Sequence, residues 1–164
     1  MNIKRKLDKY LDEYLKIERH SLFRSAKMCM PLEDYECVGS STDINNYITN
    51  NKEEDTFQTK LFKLIDDRDL KDSDVYNKAY IDRRLFSKIR NDKNYHPSKE
   101  TIILLGLSLE IGESEIEELL ESASYSLPMN TTFDLIIRFC FKEGIYDINT
   151  VNEFLYDHEC KTLN

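Results

Sequence analysis

Residues 74–105 read DVYNKAYIDRRLFSKIRNDKNYHPSKETIILL, and the predicted fold depends on how this stretch divides into helices. Asp82 and Ser98 belong to the residue types that cap helix N-termini, and each is followed by apolar side chains at helical spacing. We therefore predict one helix from Asp82 to about Asn91 and another that begins at Ser98. The apolar run 101–105 also fits a buried strand by periodicity alone, but its cap and its helical surroundings favour a helix.

A shorter helix is predicted just before this pair, from Asp74 to about Ala79, with Ser73 as its cap. A turn near Tyr80–Ile81 would then join two short helices in succession. Further caps and apolar periodicities predict helices over 2–24, 56–67, 115–124 (capped by Ser114), 133–143 (opened by Thr131 or Thr132 and ended by Gly144) and 149–156 (opened by Asn149). No segment alternates convincingly as a half-buried strand does, so the predicted fold class is all-α.

The composition agrees with this fold class and suggests a division of the chain. Of the 164 residues, 33% are charged and only four are Gly and three are Pro, which favours helices over sheets. The loosest stretch is 29–55, which we interpret as a linker with one short helix near residues 43–47. Residues 1–54 are therefore predicted to form an N-terminal amphipathic helix plus a flexible linker, and residues 55–164 a helical domain.

The N-terminal segment carries apolar side chains on one face of its predicted helix, because they recur at alternating spacings of four and three. The stripe consists of Ile3, Leu7, Tyr10, Tyr14 and Ile17. A lone amphipathic helix must bury such a face against something. Two alternatives stay open: the stripe packs on its own domain, or it contacts a partner, either a second copy of the chain in a homodimer or another protein.

Positive charge is concentrated in one part of an acidic chain. Residues 78–99 contain seven Lys or Arg side chains against two Asp, a formal +5 in a chain of net charge −8, which leaves −13 on the other 142 residues. Local positive potential attracts phosphates and releases their counterions, so a polyanion such as double-stranded DNA is the expected partner of this basic segment. A solvated helix face whose acidic partners lie elsewhere is the alternative.

The helix predicted from Asp82 has one apolar and one polar face. Leu85, Phe86 and Ile89 recur at helical spacing and are expected to face the interior. The polar positions around the remainder are Arg83, Arg84, Ser87, Lys88 and Arg90, and Lys93, Tyr95 and Lys99 lie in or beside the loop that follows. Arg and Lys donate to guanine in the major groove and Ser contacts several bases, so this face is the candidate DNA-reading surface. The free N–H groups at the helix start that Ser98 caps are a candidate phosphate contact.

The order of these helices resembles a lambda-repressor/Cro-like helix-turn-helix domain. The resemblance rests on residues 74–125, DVYNKAYIDRRLFSKIRNDKNYHPSKETIILLGLSLEIGESEIEELLESASY, which match the succession of recognition helix, loop, P-S-x-E-T, apolar helix and short acidic helix. A narrower resemblance, from about Thr56 to Leu163, is to a domain of Firmicutes proteins. That domain is often the C-terminal partner of a macrodomain, a module that binds ADP-ribose, or of other effector domains.

This resemblance implies a five-helix helix-turn-helix core with an N-terminal amphipathic helix and extra C-terminal helices, which binds DNA, usually as a dimer. It places Asp82, Arg83, Arg84, Ser87 and Lys88 at base-reading positions, and Ser73, Lys93 and Lys99 at positions that contact the DNA backbone. The turn holds Tyr80 where the family commonly has glycine, and neither helix of the pair begins with the glutamine that is also common there. The implied function is a DNA-binding transcriptional regulator, by analogy one that controls a bacterial conflict or phage-defence locus.

A second function fits the same sequence. The helix-turn-helix would then be an inherited scaffold in a non-catalytic interaction or adaptor module. The N-terminal helix and the acidic surface would dock an effector or a toxin-like protein. The charge of −13 outside the basic segment favours this alternative, because it disfavours wrapping DNA around more than one face.

Catalysis is not expected. His20, His96 and His158 have no recognisable motif context, and the chain has no GxSxG, HExxH or Gly-rich phosphate-binding loop. The four cysteines show no CxxC spacing, so we expect reduced thiols, no metal and no cofactor. No apolar run approaches the roughly 18 residues of a membrane span, and the N-terminus is charged throughout, so a cytoplasmic protein is predicted.

Overall fold

The computed structural model describes residues 3–21 and 56–163, with the side chains of 3–15 and 56–163. Eight helices lie in these residues: α1 (Ile3–Ser21), α2 (Phe57–Asp67), α3 (Asp72–Lys78), α4 (Arg83–Asn91), α5 (Lys99–Ser108), α6 (Glu113–Ser122), α7 (Thr132–Glu143) and α8 (Ile148–Asp157). The described ranges contain no strand, so the predicted all-α class is confirmed, and the apolar run 101–105 is helical. The predicted linker 29–55, with its short helix near residues 43–47, lies outside the described residues.

Three of the predicted caps are observed with their hydrogen bonds. The Asp82 carboxylate accepts from the backbone N–H of Arg84 at 2.7 Å. Ser98 Oγ accepts from the N–H of Thr101 at 3.2 Å, and Thr131 Oγ1 opens α7 in the same way. These bonds satisfy N–H groups that have no partner within the helix, which is why the three starts could be predicted.

Three predicted helix starts are wrong by one or two residues. Helix α3 begins at Asp72, with acidic side chains in its first turn, so Ser73 lies inside the helix and does not cap it. Helix α6 begins after Gly112 and not after Ser114, because the Glu115 carboxylate reaches back to accept from the Gly112 N–H at 2.9 Å. The cap of α8 is Asp147, not Asn149, and its carboxylate accepts from the backbone of Thr150.

Six helices end in the same backbone arrangement. One residue takes a left-handed conformation, and the next donates its N–H to the carbonyl five positions back, which satisfies carbonyls at the helix end. The left-handed residues are Asp69, Tyr80, Glu110, Ser124, Gly144 and Glu159. Gly144 is the one glycine among the six. The other five therefore adopt a conformation that is sterically unfavourable for a residue with a Cβ.

Helix α5 is the centre of the core, since every residue from Ile102 to Ser108 is buried. It contacts α3 on one side and α6 on another. Gly106 allows α6 and α7 to approach closely: a Cβ there would lie 2.6 Å from Ile116 Cδ1 and 3.2 Å from Phe141 Cζ. None of the helices in the described ranges is long and apolar enough to cross a membrane.

Helix α1 packs against α7 of its own chain. Leu7 and Leu11 are 1% and 4% exposed, and the Tyr10 ring lies 5.3 Å from that of Phe139. Of the two alternatives for the N-terminal stripe, packing within the chain is therefore the one observed for Leu7 and Tyr10. Tyr14 also packs on the core, Ile3 is 38% exposed, and the side chain of Ile17 lies outside the described residues.

Candidate nucleic-acid interface

Helix α4 is fixed to the core by its apolar face. Phe86 is 3% exposed and packs between two rings, with centroids 6.0 Å away at Phe62 and 5.7 Å away at Tyr76. Ile89 is fully buried, whereas Leu85 is half-buried. The predicted inward face is therefore observed. Because this face anchors α4 to both α2 and α3, the opposite side of the helix is held rigidly toward the exterior.

The C-terminal end of α4 is held by a residue from α2. Gln58 Nε2 donates to the carbonyl oxygen of Ile89 at 2.7 Å and to that of Asp92 at 2.6 Å. The Ile89 carbonyl belongs to the last turn of the helix, where the helical N–H partners run out, and the Asp92 carbonyl, just after the helix, also accepts from the N–H of Tyr95 at 3.0 Å. Gln58 could not be predicted as a contact of α4 from the sequence, because nothing local links position 58 to position 89.

The turn between α3 and α4 is the left-handed one at Tyr80, where φ is 53°. The N–H of Ile81 donates to the carbonyl of Tyr76 at 2.9 Å, and the N–H of Tyr80 donates to that of Asn77 at 3.2 Å. The Tyr80 side chain is 61% exposed. The position therefore has the backbone conformation for which glycine is best suited, although the chain places a tyrosine there.

The exposed face of α4 carries the predicted base-reading residues. Arg83, Arg84, Ser87 and Lys88 are all exposed, and neither arginine side chain forms an ion pair with a described carboxylate. Positions 83 and 87, like 84 and 88, are four residues apart, so the four side chains share one side of the helix. Asn91 Nδ2 donates to the Ser87 carbonyl at 2.8 Å and lies 3.1 Å from its hydroxyl.

Three of the seven basic residues of 78–99 are ion-paired. Lys78 binds Glu110, and Arg90 binds Asp72, each with an N···O distance of 2.5 Å. The Arg90 guanidinium also lies 4.0 Å from the ring centroid of Phe62. These two cations therefore bind the protein's own carboxylates, which agrees with the alternative hypothesis that the basic segment is a solvated helix face with its acidic partners elsewhere in the chain.

The third pair involves Lys99, a predicted backbone contact. Its Nζ lies 2.5 Å from Oδ1 of Asp134, whose side chain is only 6% exposed, and the lysine side chain is itself 23% exposed. Asp134 also accepts from Thr131 Oγ1 at 2.7 Å. Lys99 therefore joins α5 to the start of α7, and it offers little free charge to a ligand.

The remaining predicted residues lie around the same face. Lys88 Nζ sits 4.4 Å from the ring centroid of the half-buried Tyr95, and Lys93 is exposed with no ion pair to a described acid. Ser73 lines an open groove of about 320 Å³ together with Arg83, Ser87 and Arg90. The structure thus groups Ser73 with Arg83, Ser87 and Arg90, and Lys88 with Tyr95. Four cations of the basic segment form no ion pair with a described carboxylate and are called unpaired below: Arg83, Arg84, Lys88 and Lys93.

Groups that would serve other chemistry are not assembled in the described ranges. No three His, Cys, Asp or Glu side chains there are arranged to hold a metal ion. Burial raises the pKa of the Cys140 thiol to about 12 and raises that of Cys160 as well, so both favour the unreactive thiol. His96 lies against Tyr125, with Nδ1 3.4 Å from the phenol oxygen.

No protein-family model, no curated protein and no solved structure matches the chain.

Proposed function

We propose that the protein is a DNA-binding transcriptional regulator of the helix-turn-helix type, in which α4 enters the major groove. One observation carries the proposal: Arg83, Arg84, Ser87 and Lys88 form an exposed polar face whose cations have no carboxylate ion-pair partner among the described residues. The helix that carries this face is packed on the core by Phe86, capped at its start by Asp82 and bound at its end by Gln58. Arg and Lys side chains that project from a rigid helix are suited to bidentate contacts with guanine.

The ion pairs of the basic segment limit the strength of this interaction. If all seven cations neutralised phosphates, the slope of log K against log salt would be about −6, at about −0.9 per phosphate on duplex DNA. With only the four unpaired cations engaged, the slope falls to about −3.6. The proposal therefore includes a specific expectation: moderate affinity for duplex DNA with a slope between about −3 and −4.

Fluorescence anisotropy of a labelled random duplex, titrated at several ionic strengths, tests this expectation. The double substitution Arg83→Ala and Lys88→Ala should reduce the steepness of the slope by about two, with the helical content unchanged, and any preference of the wild type among defined duplexes should be lost in the same variant. The matched control is Lys63→Ala with Lys142→Ala, which removes two exposed cations from α2 and α7 and should leave binding nearly intact. Absence of salt-dependent binding by the wild type at low ionic strength would refute the proposal.

An interaction or adaptor module is the second candidate, and a groove of about 400 Å³ between α1 and the end of α8 favours it. Asp8, Asp12, Asp157 and Glu159 line this groove beside the half-exposed Leu15. Such a surface suits a basic partner. A complex that forms at fixed stoichiometry, survives nuclease treatment and is lost in Asp8→Lys with Asp12→Lys would favour this function over DNA binding.

A further inference from the structure

A histidine links the end of α8 to α1. His158 follows the last residue of α8, and its Nδ1 lies 2.8 Å from the carbonyl oxygen of Phe154, while its Nε2 lies 3.4 Å from Oδ1 of Asp8 on α1. A carbonyl oxygen can only accept a hydrogen bond, so Nδ1 carries a proton and donates it. In the neutral ring, Nε2 is therefore an unprotonated acceptor that faces a carboxylate, which is also an acceptor.

Protonation of the ring reverses the character of this contact. The imidazolium donates from both nitrogens, so Nε2–H points at Asp8 and an attractive ion pair replaces two facing acceptors. Histidine side chains commonly change charge between about pH 5 and pH 8, whereas carboxylates commonly titrate well below this range. We propose that His158 is a pH-sensitive latch, which strengthens the docking of α1 on α7 and α8 as the pH falls.

The charges around His158 support this direction. Besides Asp8, the groove that His158 lines contains Asp12 from α1, and Asp157 and Glu159 from the end of α8, while α7 contributes the uncharged Thr132. Asp8 and Asp12 attract a positive ring across the contact between α1 and α8, whereas Asp157 and Glu159, which flank His158 in the chain, attract it whether or not α1 is docked. Lys4 of α1 is the nearby cation, and it is engaged with Asp157 at 2.8 Å.

The contacts of α1 within residues 3–15 are few enough to be named. Leu7 and Leu11 are fully buried there, and Tyr10 and Tyr14 pack against the core while partly buried. The accompanying ion pairs of Lys4 and Lys6 are both partly exposed to solvent, where such pairs contribute little. Helices held in this way open locally without global unfolding, and amide hydrogen exchange measures that opening directly.

The test is hydrogen exchange of the α1 amides in the full chain at about pH 6 and about pH 8, with each rate divided by the intrinsic rate at that pH. Protection of α1 in the wild type should be about two- to fivefold greater at the lower pH, as an exposed ion pair implies. The difference should vanish in His158→Gln and, independently, in Asp8→Asn. Unchanged protection of α5 in each variant reports that the domain is still folded.

Two control variants separate the latch from other causes. His20→Gln removes the histidine that lies within the sequence of α1 itself and should keep the pH dependence. Asp157→Asn removes the ion pair with Lys4 at 2.8 Å and should weaken protection at both pH values, while a difference between the two pH values remains because His158 and Asp8 are still present. A wild type without the difference, or a difference that persists in His158→Gln or disappears in His20→Gln, would overturn the proposal.

Discussion

Replacing Tyr80 by glycine should stabilise the protein, although it removes an aromatic side chain. Tyr80 has φ of 53°, and the left-handed conformation costs a residue with a Cβ roughly 1–2 kcal/mol. The side chain is 61% exposed, and the hydrogen bonds of the turn are donated by backbone N–H groups, so the substitution disturbs few contacts. Glycine itself destabilises the folded state by about 0.5–1 kcal/mol, because its greater conformational freedom in the unfolded chain is lost on folding. The expected net gain is about 0.5–1 kcal/mol.

The assay is urea unfolding followed by circular dichroism, together with a thermal melt. For a chain of this length, 1 kcal/mol corresponds to about 2–4 °C, so the melting temperature of Tyr80→Gly should rise by about 1–4 °C. Tyr80→Ala is the matched control, because it removes the same ring but keeps the Cβ, and it should not stabilise. Glu118→Gly, at an exposed position inside α6, should instead lose about 1 kcal/mol.

The comparison between Tyr80→Gly and Tyr80→Ala tests whether the left-handed backbone at this turn penalises a Cβ. If Tyr80→Gly is no more stable than Tyr80→Ala, the left-handed backbone at this turn imposes no steric penalty and the reasoning fails. The same reasoning applies to the other left-handed positions, and Ser124→Gly offers an independent repeat at a turn that is far from the candidate interface in sequence.

Three further predictions follow from the packing and the caps. Gln58→Glu replaces the donor to two carbonyls at the end of α4 by an acceptor and should lower the unfolding free energy by about 1–3 kcal/mol. Gln58→Met loses the same two hydrogen bonds without adding a charge, so the difference between the two variants measures the effect of the charge. Leu7→Ala should lower it by about 2–4 kcal/mol, against less than about 0.5 kcal/mol for the exposed Lys9→Ala. Hydrogen bonds from the side chain and backbone of Thr150 hold the pKa of Asp147 below its ordinary value of 3.8. The ionised carboxylate therefore adds to the free energy of unfolding above about pH 4, and this contribution is lost as the pH falls through the lowered pKa. Urea unfolding at about pH 5.5 and about pH 3 should therefore show the stability gap between wild type and Asp147→Asn narrowing with acid; a constant gap would contradict this.

The helices were predictable where a local signal decides them. Asp82, Ser98 and Thr131 bond to N–H groups two or three residues ahead, and that spacing is visible in the sequence. The start of α6 was missed because the decisive group is the Glu115 carboxylate, which bonds back to Gly112. The position of Ser114 then looked like a cap, since serine is a common residue there.

The candidate site was predictable only in part, because its electrostatics depend on distant residues. The sequence shows that Arg90 and Lys99 are basic, but not that Asp72 and Asp134 fold onto them from 18 and 35 positions away. The hydrogen bonds from Gln58 to α4 could not be predicted for the same reason, since they join residues that lie 31 and 34 positions apart. Periodicity correctly assigned the inward and outward faces of α4, since that assignment needs only the helical repeat.

The burial of α5 has a consequence for how the protein can be shortened. A fragment cut after Tyr125 would keep the five helices from α2 to α6, but it would lose α7, which contacts α5 through Asp134 at one end and through Phe141 beside Gly106 near the other. The apolar flank of the central helix would then face water, and Lys99 would have no counter-charge. Helices α7 and α8 therefore complete the core, and the smallest stable fragment should extend to Leu163, which is 6% exposed.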